Sequence, residues 1–168
     1  MAMDYGKAFE QKFRECFKKS FPQGFIYRLP DQMSGYASYS SNACDFLTYN
    51  YPQLMMIECK STENASFSFS ALRQYDKLKD YVYIPGVRAG VVIWLIKKDV
   101  VFYVPILTVK KMKENGLKSV NPKTLDRKKY YIVDIPSVKL RTFMDSDYRV
   151  LMNIKSDEEI DKYENIEE

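Results

Sequence analysis

The sequence predicts an α/β (α+β) fold in which a central mixed β-sheet is flanked by helices. Three patterns carry that expectation. Tyr5, Phe9, Phe13, Cys16 and Phe17 recur at helical spacing and predict an amphipathic helix over residues 3–20, ended before Pro22. Leu54-Met55-Met56-Ile57 and the run from Ala89 to Ile96 are continuously apolar, as strands covered on both faces require. Leu72, Tyr75, Leu78 and Val82 mark the buried side of a second helix, capped by Ser70 and running through Tyr83.

The remaining elements follow in chain order. Gly24 to Pro30 is a strand candidate, and residues 31–42 form a polar loop in which Tyr36 and Tyr39 either stack on exposed bases or pack on the loop itself. Residues 44–61 read as two strands joined by a Pro turn, with Tyr49 opposite Leu54 across a loop from Asn50 to Gln53. Beyond the Ala89 to Ile96 strand, Lys97-Lys98-Asp99 turns the chain and Val100 to Val104 returns. Thr108 to Glu114 is a short basic helix stopped at Asn115-Gly116, residues 117–129 are a basic loop, and Tyr130 to Ile135 is a last strand. No internal repeat, interdomain linker or Gly-rich phosphate loop interrupts the pattern.

At 168 residues the chain suits one domain with its own core. Residues 1–155 are read as that domain and residues 156–168 as a mobile acidic tail, with Ser156-x-x-Glu159 able to cap a short helix in it. The tail holds seven of the 22 acidic residues, which leaves the body with 25 basic and 15 acidic residues, a net charge of +10 that suits a polyanionic partner. Cys16, Cys44 and Cys59 show no C-x-x-C spacing and read as reduced core thiols. With no signal segment and no apolar stretch long enough to span a bilayer, a soluble cytoplasmic protein is expected. The absence of histidine excludes imidazole-based triads, His-ligated zinc and nucleases with a histidine base. It leaves carboxylate chemistry with a hard cation.

Charge within the apolar hairpin points to such chemistry. Antiparallel pairing of Tyr49 with Leu54 sets Asp45 opposite Glu58, and alternation puts Lys60 on the same face while Cys59 points away. Two carboxylates about 5 Å apart repel by about 3 kcal/mol at an effective dielectric near 20, so a cation must compensate. A divalent metal does so; the alternative is a turn residue at Asp45 and a plain ion pair between Glu58 and Lys60. Glu10 lies at the edge of the first helix's apolar stripe, either facing the space above Gly6 or pairing with Arg14 at i+4.

Taken in order, Gly6-x-x-x-Glu10, Arg28-Leu29-Pro30, Asp45, Glu58-Cys59-Lys60 and Gln74 resemble the PD-(D/E)XK nuclease superfamily, and within it the RecU-like Holliday junction resolvases. The resemblance spans roughly residues 4–136. It implies a restriction-endonuclease-like fold and a Mg2+ ion, with Mn2+ as substitute, held by Asp45, Glu58 and the Cys59 carbonyl, with Glu10 completing the site directly or through water. Lys60 would orient hydroxide and offset transition-state charge, and Gln74 would hold water or phosphate. Arg28, Tyr36, Tyr39, Arg73 and Lys77 are the residues expected to meet DNA.

The chain departs from those resolvases at Pro30-Asp31-Gln32, where they carry Pro-Thr-Pro, and in having only residues 31–44 where they carry a longer stalk. A shortened version would suit a phage or mobile-element protein. The first expectation is therefore a homodimeric, magnesium-dependent endonuclease that resolves four-way DNA junctions. The alternatives are a repair or restriction-type nuclease on duplex or flap DNA, and a non-cleaving DNA-binding protein of the same fold.

Overall fold

Asp4 starts the first helix by accepting hydrogen bonds at Oδ1 from the N–H groups of Gly6 and Lys7, at 3.1 and 3.2 Å. That helix, α1, spans Tyr5–Ser20 and buries Phe9, Phe13, Cys16 and Phe17. The computed structural model describes residues 3–31 and 41–163; Tyr36 and Tyr39 lie outside them. The chain continues through β1 (Phe25–Arg28), β2 (Phe46–Asn50), β3 (Gln53–Thr62), β4 (Phe67–Ser68), α2 (Tyr75–Lys79), β5 (Val87–Leu95) and β6 (Val100–Pro105). Then follow α3 (Ile106–Glu114), β7 (Ser119–Val120), β8 (Val133–Asp134), β9 (Ser137–Lys139), β10 (Met144–Ser146) and α4 (Asp157–Asp161).

Six strands form one mixed sheet in the order β1-β2-β3-β5-β6-β8, in which β3 and β5 are parallel and every other neighbouring pair is antiparallel. Both faces are covered, which is why β3 and β5 read as unbroken apolar runs. On one face α1 packs Phe13 and Phe17 against Phe46, Ile57 and Tyr148; on the other Met56, Val91 and Ile93 pack with Leu78 and Ile106. Gly90 is required here, because a Cβ at that position would lie 2.3 Å from the Tyr103 ring. Tyr49 pairs with Leu54 as the hairpin pattern implies, although Asn50 and Gln53 also pair and only Tyr51-Pro52 remains as the turn.

Two expected elements are shorter. The helix expected from Ser70 begins only at Tyr75, because Phe67 and Ser68 pair with Val120 and Ser119 and Phe69 donates its N–H to the Lys118 carbonyl, which holds residues 67–71 to another part of the chain. The strand expected over residues 130–135 pairs with β6 only at Val133 and Asp134, since the Thr108 hydroxyl donates to the Tyr131 carbonyl (2.6 Å) and draws that stretch onto α3. The hairpin β9–β10 and the turn Tyr148–Asn153, which no expectation covered, complete the α1 face with Met144, Tyr148 and Leu151.

The acidic tail, expected to be mobile, is instead folded as far as residue 163. Ser156 and Glu159 form a reciprocal capping box for α4, which packs against α3. Asp157 accepts from the Tyr83 N–H (2.8 Å), Ile160 is buried, the Tyr163 hydroxyl donates to the Arg127 carbonyl (3.0 Å) and Lys111 donates to the Tyr163 carbonyl (2.6 Å). Truncation after Lys155 is therefore expected to destabilise the domain. Losing one buried Ile and one cap removes about 3 kcal/mol, a fall in Tm of roughly 10 °C for a chain of this size. An unchanged melting curve for the truncated chain would show that α4 adds nothing to the core.

Candidate active site

Where strands stop decides where the site opens. β2 begins at Phe46, paired with Ile57, whereas β3 runs on to Thr62 and from Glu58 onward is paired only with β5. Among the described residues, one flank of β3 is thus left without a strand at the level of Glu58, Cys59 and Lys60. Asp45, just before β2, fills part of the gap: its Oδ2 accepts the Cys59 N–H at 2.8 Å, satisfying a backbone donor that would otherwise face an open edge. Alternation turns the Cys59 side chain into the α1-side core and leaves Glu58 and Lys60 on the other face. Both faces reach this gap. α1 contributes Tyr5, Gly6 and Glu10, and Gln74, at the start of α2, closes the opposite side of a cleft of about 450 Å3.

The carboxylates are held rather than free. Lys60 Nζ lies 3.0 Å from Glu58 Oε1, with the Glu58 side chain only 3% exposed and that of Lys60 25% exposed. Glu10 does not pair with Arg14; its Oε2 takes Arg28 Nε at 3.1 Å and Nη2 at 3.0 Å. Arg28 also bonds Asp31, so a guanidinium expected to meet DNA is occupied by two acids. Burial raises the Glu58 pKa to about 8, reinforced by the negative charge of Asp45 and opposed by Lys60. Asp45 is raised by burial and restrained by the Cys59 N–H, and Glu10 is raised by burial and by Asp45. Burial also pushes the Cys44 thiol up to about 12 and the Cys59 thiol well above its ordinary value, so neither supplies a thiolate at neutral pH.

Two buried acceptors on the wall of this cleft, Glu58 Oε2 and Gln74 Oε1, have no hydrogen-bond donor among the described residues. Orphaned oxygens beside crowded acids are what a hard cation satisfies. Among the described residues no three His, Cys, Asp or Glu side chains are placed to hold a metal by themselves. Asp45, Glu58 and Gln74 Oε1 are oxygen donors, the kind that a hard cation takes together with water.

The other expected residues fall at varied distances from this centre. Arg73 is exposed beside Gln74 and lines none of the clefts named here. Lys77 donates to the carbonyl and, at 2.7 Å, to the hydroxyl of Ser41, so it fastens the chain where it approaches Asp45 and is not free for phosphate. Tyr5, Thr62 and Glu63 line the cleft without having been singled out. Tyr5 is hidden in the apolar stripe of its helix, and Glu63 would have followed from extending β3 past Lys60. A second cleft, of about 270 Å3, shares Asp45, Glu58 and Gln74 and is lined further by Asn42 and Asp31.

No family model matches the sequence, and no curated protein matches it significantly. Among solved structures, the chain is similar to Hjc of Archaeoglobus fulgidus, a Holliday junction resolvase from an archaeal hyperthermophile. The two share 20% identity and a TM-score of 0.48, over 70% of this chain and 89% of the other.

Proposed function

We propose that the protein is a Mg2+-dependent endodeoxyribonuclease of the PD-(D/E)XK type that acts on four-way DNA junctions as a homodimer. The observation that carries the reading is the unpaired flank of β3, where Asp45, Glu58 and Lys60 meet Glu10 and Gln74 and two buried oxygens lack partners. Asp45, Glu58, the Cys59 carbonyl and, through water, Glu10 would hold the ion. Bound there, it would supply Lewis acidity toward a phosphodiester and an attacking water. Lys60 holds positive charge at the cleft wall, where negative charge accumulates as the phosphate is attacked. Gln74 Oε1 offers an acceptor that orients a water proton, and Arg28 fixes the carboxylate of Glu10 toward the same space. Among the described residues no helix is long and apolar enough to cross a membrane.

Incubation with labelled four-way, flap and linear duplex DNA in Mg2+ or in Ca2+ tests the reading. Paired nicks in the four-way substrate only, with Mg2+, are expected. Cleavage of flap or duplex DNA instead would leave the nuclease and replace the substrate with that of a repair or restriction enzyme.

The acids also make stability depend on pH. A carboxyl whose folded pKa lies above its unfolded value stabilises the fold fully below the unfolded pKa of about 4.3, and loses that contribution as pH rises through the folded value. For Glu58 the window runs from there up to about 8, and Asp45 and Glu10 add to it in the same direction. In EDTA the Tm is therefore expected to fall between pH 5 and 8.5 by more in the parent than in Glu58→Gln, and added Mg2+ should recover more stability at pH 8.5 than at pH 5. Parallel pH profiles for the two proteins would show that Glu58 ionises at no cost to the fold.

A further inference from the structure

We infer that the cleft between α1 and the edge strand β1 is a second anion site, which takes a backbone phosphate of the DNA away from the scissile bond, with Arg14 and Lys7 as its ligands. This rests on the nuclease reading for the identity of the anion. The cleft measures about 260 Å3 and is lined by Lys7, Glu10, Gln11, Arg14, Arg28 and Asp31, together with the Phe46 ring. Lys7, Gln11 and Arg14 stand at i, i+4 and i+7 of one helix and so project along one stripe.

The charges do not cancel. Both acids of the cleft, Glu10 and Asp31, are engaged by Arg28 at 3.0 and 3.1 Å. Among the described residues neither Arg14 nor Lys7 has an acidic partner, and Arg14 Nε is buried with no hydrogen-bond acceptor. The Arg14 side chain lines the cleft, and a phosphate is the anion whose oxygens match a planar guanidinium fork. The cleft is continuous with the reaction site, because Glu10 lines both, and Asp31 is shared with the 270 Å3 cleft beside Asp45. A strand presents a phosphate about every 3.4 Å along a duplex axis, and the lining shared through Glu10 puts this stripe next to the reaction site. Sequence spacing hid the site, since an i+4 pair between Glu10 and Arg14 would have neutralised it.

The test is DNA binding in Ca2+ as a function of salt, by the parent, Arg14→Gln, Lys7→Gln and Arg14→Lys. Each glutamine variant is expected to bind roughly 5- to 10-fold more weakly near 0.1 M salt and to lower the slope of log K against log salt by about 0.9, the signature of one lost phosphate contact. Arg14→Lys keeps the charge and should keep the slope. At saturating DNA in Mg2+ the glutamine variants should cleave within about 2-fold of the parent, so the loss appears in KM and not in kcat. Lys7 is exposed, so Lys7→Gln remains informative even if Arg14→Gln is poorly folded. Parental affinity and slope in both glutamine variants, with the parent binding DNA normally, would overturn this site alone. A parent that binds no DNA would remove the nuclease reading and the phosphate assignment together.

Discussion

Glu58→Gln is expected to abolish DNA cleavage while leaving DNA binding in Ca2+ within a few fold, and Asp45→Asn should do the same. The amide keeps the shape of the carboxyl and removes the charge, so the change isolates what the charge does. Glu58 Oε2 is buried with no hydrogen-bond donor among the described residues, and Oε1 faces Lys60. A glutamine there offers one neutral acceptor in place of two anionic oxygens, too little to hold a divalent ion against water. In Asp45→Asn the side-chain carbonyl would still accept the Cys59 N–H, so the closure of the β3 edge is preserved. The fold should tolerate both changes. At pH 8.5 in EDTA Glu58→Gln should be the more stable protein, because a buried group no longer has to ionise. Loss of activity with a gain of stability separates a metal ligand from a structural acid. Full activity in either variant, measured as nicking of a labelled junction, would remove the metal-site assignment.

Parts of this site were legible in the sequence because they depend on local rules. Side-chain alternation and the Pro turn were enough to place Asp45 opposite Glu58 and to bring Lys60 to their face, and the observed pairing of Tyr49 with Leu54 has that register. The apolar runs of β3 and β5 likewise announced strands covered on both faces, though not that the two pair in parallel. What was not legible depends on where neighbours end. The open flank of β3 exists because β2 starts at Phe46, and no feature of residues 58–62 announces that. Helical spacing offered Arg14 as the partner of Glu10, yet the partner is Arg28, eighteen positions away, because α1 crosses the end of β1. Composition marked residues 156–168 as a mobile acidic tail in which Ser156 and Glu159 could cap a short helix; the cap is present, and the burial of Ile160 and the Tyr83–Asp157 contact were not legible. For Glu10 a contact eighteen positions away overrode a local pairing tendency.

Lys60→Ala carries the second large expectation, a fall in kcat of about 100-fold or more with Mg2+ saturating. One preorganised charge in a partly dry site commonly contributes that much to stabilising charge that develops in a reaction. Lys60 is fixed by its contact with Glu58 and is three-quarters covered, so it needs little reorganisation as the phosphate is attacked. Its removal has a second consequence that a packing role would not share. Lys60 is the cation that opposes the rise of the Glu58 pKa, and without it Glu58 and Asp45 hold their protons to higher pH. The ion must displace those protons, so the acid limb of the pH–rate profile and the Mg2+ concentration for half-maximal rate should both move upward in Lys60→Ala. Lys60→Arg restores the charge and should return the acid limb toward the parent, though not the full rate, because the guanidinium cannot occupy the same position. A loss below about 3-fold in Lys60→Ala, with an unshifted profile, would make Lys60 the structural partner of Glu58 and remove it from charge stabilisation.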